Sequence, residues 1–105
     1  MVAAKLPSGL AGLTCTASTG AMIRLNVDLT TGRFQKEGFA ARPILEVHPN
    51  RLILLKVATR AMMIEATLDR LTMVYTAQSE DRISKVVSRS QYQCVAGNPF
   101  QVSEN

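Results

Sequence analysis

From Ile23 to Leu29 every second residue is apolar: Ile23, Leu25, Val27 and Leu29 alternate with Arg24, Asn26 and Asp28. A period of two places the apolar set on one face of an extended strand, whereas a helix would spread it around the cylinder. Thr30-Thr31-Gly32 then supplies a glycine-containing reversal into Arg33-Phe34-Gln35-Lys36-Glu37. The stretch therefore reads as a β-hairpin with one wet face.

The neighbouring segments extend this pattern. Residues 13–17 read as a strand carrying Cys15, and Ser18-Thr19-Gly20 as its turn, so three strands follow one another as a meander from residue 13 to residue 37. Pro43 admits only an edge or a strand start, residues 44–47 form a short strand, and His48-Pro49-Asn50 is a turn before the apolar run of residues 52–57. Between Asn50 and Ala96 there is no Gly or Pro, so polar clusters must supply the breaks: Thr59-Arg60, Asp69-Arg70-Leu71-Thr72 and Ser79-Glu80-Asp81-Arg82. They delimit strands at residues 62–68 and 73–77 and a last segment reaching Cys94. Ile83, Val86 and Val87 in that segment also fit one helical face with Ser79 as N-cap, but β-branched valines and four serines favour extended chain. No internal repeat or low-complexity tract stands out.

The expected fold is all-β: a small antiparallel meander curled into a barrel or sandwich, with at most one short helix. One β domain spans residues 10–96, between loose tails at residues 1–9 and 97–105. Hydrophobic residues make up 47% of the 105, enough for a core, but a chain this short gains from a crosslink or a second subunit.

The two cysteines address that need. Cys15 and Cys94 lie near opposite ends of the chain, too far apart in sequence for a C-x-x-C redox motif, and with His48 as the sole histidine they cannot assemble a four-ligand zinc site. Either they form a disulfide joining first strand to last, closing a loop of about 80 residues, or they are two buried free thiols. The bridge implies a periplasmic or secreted protein and the free thiols a cytoplasmic one. No motif calls for a metal or cofactor.

The net charge of +4 invites a nucleic-acid reading, but the eight arginines and four lysines are scattered singly with acids interleaved, and the aromatics form no local motif with the arginines, so no specific nucleic-acid partner is expected. The longest apolar run is far too short to span a membrane, and residues 1–10 lack the apolar region of a secretory signal.

Leu68-Asp69-Arg70-Leu71-Thr72-Met73-Val74-Tyr75, then Ser90-Gln91-Tyr92-Gln93-Cys94 and Phe100, resemble the C-terminal half of short bacterial two-cysteine β proteins of uncharacterised function, many of them exported. In those proteins an Asp/Asn-Arg-x-Ser/Thr-Gly turn joins two strands; here Met73 stands in the glycine position. The terminal cysteines and the Tyr-x-Cys motif are also similar to periplasmic lysozyme inhibitors of the small β-barrel type. Their Gly- and aromatic-rich recognition loop is absent, so no functional residue carries over.

Reactive groups are sparse. His48 reads as a solvent-facing turn residue, and Glu65, alternating with Ile64 and Ala66, as a resident of the wetter strand face beside Met63 and Thr67. Asp69 reads as a turn former and Arg70 as its anchor through a carboxylate fork. Met22, Met62, Met63 and Met73 are numerous; they read first as core filling and second as an adaptable contact patch for another subunit or an apolar ligand. Three functions follow, in order: a noncatalytic binding or interaction module of unknown ligand, a cytosolic homo-oligomer (a dimer paired through an edge strand and these methionines), and a small enzyme.

Overall fold

The computed structural model describes residue 6 and residues 9–101. The described chain is all-β, without a helix, and its strands are β1 Leu10–Ala17, β2 Met22–Asp28, β3 Arg33–Lys36, β4 Arg42–Pro43, β5 Glu46–Val47, β6 Arg51–Ala58, β7 Met62–Asp69, β8 Val74–Asp81 and β9 Val87–Gly97. They form one antiparallel sheet in the order β4-β3-β2-β1-β9-β8-β7-β6-β5. Every connection joins neighbours in the sheet except the one from β4 to β5, and the first strand pairs with the last, Cys15 opposite Cys94 and Leu13 opposite Ala96.

The sheet curls because its two ends are consecutive in the chain. β4 and β5 are separated by Ile44-Leu45 alone; the Ile44 N–H donates to Gly32 O at one end of the sheet, and the Leu45 N–H donates to Ile53 O at the other, 2.8 and 2.9 Å. One hexapeptide therefore ties both ends of the sheet together without a ladder between them, while β3 beyond Phe34 and β6 beyond Ile53 pair with no described strand on that side. A bulge between Ile53 and Leu55 sharpens the bend of β6.

The core occupies the inner face. Leu13, Leu25, Val27, Leu52, Leu54, Leu68 and Cys15 are all but inaccessible to solvent, and Met73, Tyr75 and Cys94 pack with them. Cys15 and Cys94 form the expected disulfide, S–S 2.04 Å and Cα–Cα 3.9 Å. Their Cα atoms are close because the two residues face each other directly on adjacent strands, in a pair that is not hydrogen-bonded to each other.

Three hairpins use one turn, a repeat that the sequence does not announce. In Asp28-Leu29-Thr30-Thr31-Gly32, Asp69-Arg70-Leu71-Thr72-Met73 and Asp81-Arg82-Ile83-Ser84-Lys85, the aspartate Oδ1 accepts the N–H groups two and three residues on. The fifth residue then takes a left-handed conformation, φ +68° at Gly32, +61° at Met73 and +67° at Lys85. In the last two, the second residue is an arginine that clasps the adjacent turn. Arg70 donates from its backbone N–H to Asn50 O and from Nη1 to His48 O; Arg82 does the same to Ala61 O and Thr59 O. Arg70 thus anchors through carbonyls rather than through the anticipated carboxylate fork. The segment from residue 79 to residue 90 is strand, turn and strand, so the helical alternative is set aside.

Parts of both expected tails are docked. Leu6 is buried and its N–H donates to Arg70 O at 3.3 Å. Beyond β9 the chain crosses the outer face of β1 at Gly12, where a Cβ would overlap Asn98 and Pro99. It ends its crossing at Asn26, whose amide donates to Phe100 O at 3.0 Å and accepts from Phe100 N at 3.1 Å. The Arg24 guanidinium, paired with Glu37, lies 5.9 Å from the Phe100 ring centroid. Residues 1–5, 7–8 and 102–105 lie outside the described ones.

Candidate functional site

The titratable groups do not converge. His48 sits in the β5–β6 turn with Nε2 2.8 Å from Glu46 Oε1, both half-exposed. Glu65 lies on the outer face of β7, 3.9 Å from Lys56 on β6. Asp69 and Asp81 are turn formers whose carboxyls are held below the usual range by backbone N–H groups, those of Thr72 and Leu71 for one and of Ser84 and Ile83 for the other. Tyr75, packed 5.8 Å from Tyr92 by ring centroid, has its phenol pushed up by burial. Among the described residues no group of His, Cys, Asp and Glu could hold a metal ion. One surface recess, of about 320 Å³, is an open polar groove on the outer wall between Arg51, Thr67, Asp69, Thr76 and Gln91.

The methionines are not brought together. Met22 is exposed at the start of β2, with three strands between it and β7, which carries Met62 and Met63. Met73 is only 2% exposed and fills the core where Cys94 N–H donates to its carbonyl. That burial removes Met73 from any surface patch, because its left-handed backbone turns the side chain inward under the hairpin.

A feature the residue reading missed lies at the end of the sheet where β6, β7, β8 and β9 outrun their neighbours. Past Leu55, Ala66, Ala77 and Ser90 these four strands continue as a projecting lip, residues 56–58, 62–65, 78–81 and 87–89, with no described residue buried in it. Its inner face extends the core stripe outward as Val57, Ile64 and Met62; its outer face carries Lys56, Met63, Glu65, Gln78, Glu80, Val87 and Arg89. Val57, Met62 and Val87 are 40, 45 and 56% exposed, and Ile83 and Val86 in the turn at its tip are 81 and 60% exposed. Ser79, Asp81, Ser88 and Ser90 share the inner face, so its apolar part is the β6–β7 half, an open patch where a sheet normally packs against a covering layer.

The strand lengths that create the lip were half visible in the sequence. The polar cluster at residues 79–82 looked like a break, yet β8 runs through it to Asp81 because β9 supplies a hydrogen-bonding partner as far as Glu80 opposite Val87. No family model, curated protein or solved structure matches the chain. No helix among the described residues is long and apolar enough to cross a membrane.

Proposed function

We propose that the chain is a noncatalytic binding module that takes its partner at the lip. The observation that carries this reading is the four-stranded extension, exposed on both faces, with Val57, Met62 and Ile64 continuing the core stripe into solvent. The disulfide supports an oxidising compartment as its place of work, since such bridges form and persist there. Display of random peptides tests the binding reading. Enriched peptides should bind the wild-type protein and lose about tenfold in affinity for a folded Val57→Ser/Met62→Ser double variant, the loss expected when two apolar contacts are removed. A library that yields no lip-dependent binder overturns the reading.

Self-association is a second reading, favoured by the exposure of Met62 and Val57 on one inner face. Two copies meeting face to face there would cover each other's apolar stripe. Light scattering should then show twice the 11.4 kDa chain mass in the micromolar range, reverting to one chain in Met62→Lys; a single-chain mass throughout removes this reading.

A further inference from the structure

The outer edge of the lip has a chemistry of its own. β9 pairs with β1 only from Tyr92 onward, because β1 ends at Ala17, opposite Tyr92, and turns away. On its other side β9 pairs with β8 down to Val87. The hydrogen bonds Asp81 N–H to Val86 O and Cys94 N–H to Met73 O fix the phase of that ladder: Val86, Ser88, Ser90, Tyr92 and Cys94 direct their N–H and C=O toward β8. The alternate residues Val87, Arg89 and Gln91 direct theirs outward, beyond the last β1 pairing at Tyr92. Three donor–acceptor pairs thus stand ready along five residues, the arrangement that accepts an added strand.

The charge around this edge selects what is added. From Arg82 to Gln91 the chain carries Arg82, Lys85 and Arg89 and no acid. Arg82 is engaged in clasping Thr59, but the Arg89 side chain stands on the outer face in the middle of the edge, between Val87 and Gln91. A second copy pairing edge to edge in the longest register would set Arg89 directly opposite Arg89, and like charges facing each other across a ladder destabilise it. Glu80, opposite Val87 on β8, argues against an acid farther along the edge. We propose that β9 binds an extended peptide segment of another protein as an additional antiparallel strand, with an acidic residue opposite Arg89. The proposal rests on the binding-module reading and specifies its partner.

The probe is a nine-residue peptide of alternating threonine and valine with glutamate at its centre, titrated by fluorescence anisotropy. Wild-type protein should bind it at least about fivefold more tightly than the same peptide with lysine at the centre, and Arg89→Glu should invert that preference. N-methylation of the two peptide residues flanking the glutamate at the hydrogen-bonding positions, or Gln91→Pro, should each weaken binding about tenfold. The proline removes an outward N–H and leaves the β8 ladder intact, which an unchanged circular dichroism spectrum and melting temperature would verify. Binding that ignores N-methylation, or an Arg89→Glu variant with unaltered preference, overturns strand addition. A peptide-free dimer abolished by Gln91→Pro overturns it too, since the edge would then belong to a second copy. Display peptides that need Val57 and Met62 but bind Arg89→Glu unchanged and tolerate N-methylation would overturn strand addition at β9 while leaving the binding-module reading in place.

Discussion

Met73 and Lys85 occupy equivalent positions, yet opposite effects follow from replacing them. Both hold left-handed backbone, where a side chain costs about 1 kcal/mol relative to glycine. Lys85 is exposed, so Lys85→Gly should stabilise the protein by about 0.5 kcal/mol, the relief of strain exceeding the added freedom of the unfolded chain. Met73 is buried, so Met73→Gly should destabilise it by about 2 kcal/mol, because the lost core volume outweighs the relieved backbone. Urea denaturation with the disulfide intact measures both. The turn aspartates make stability fall in acid. Asp69 and Asp81 have carboxyls lowered by folding, so their contribution is complete above the unfolded value of about 4 and is lost as pH falls through the folded one. Asp69→Asn keeps an acceptor oxygen that does not titrate; its urea midpoint should therefore fall less than that of wild type between pH 5 and pH 2.

At the scale of elements, the C-terminal segment is a strap whose seat is a missing side chain. Gly12 lies opposite both Asn26 on β2 and Gly97 on β9, and the strap passes over it from one to the other. Gly12→Ala should force Asn98 and Pro99 off the wall and release Phe100 from Asn26, leaving β1 paired on both sides. Carboxypeptidase digestion followed by mass measurement would then remove residues through Phe100 from the variant much faster than from wild type. Equal rates would mean that Asn26 alone holds the strap. The alternation of β2 was legible because its partners lie on both sides and one face is wet; the strap was not, because a single glycine and a single asparagine have no periodicity.

For the whole molecule, the disulfide acts across the seam where chain ends meet. It joins strands 79 residues apart in sequence, and the chain-entropy account assigns such a crosslink about 4.5 kcal/mol. Cys15→Ala/Cys94→Ala should lose stability of that order in urea denaturation, by more than any single core substitution that shortens one side chain by a methylene. The β1–β9 ladder should survive in the native state, since its registration rests on five further facing pairs besides the cysteines.

Composition and alternation by themselves determined that the chain is β, where most of its reversals fall, and that two cysteines at its ends are placed to meet if first and last strands become neighbours. These are local properties: a period of two, a turn aspartate and a glycine act on the residues beside them. Only the tertiary structure decided the rest. Whether β8 stops at Ala77 or runs to Asp81 depends on the length of its partner β9; whether Met73 is surface or core depends on which way a left-handed residue points beneath a neighbouring strand. The lip and its free edge exist because β1 ends at Ala17 while β9 begins at Val87, five residues before it reaches β1. A mismatch between two strands distant in sequence has no signature in either one, since it arises only when hydrogen bonds set them side by side.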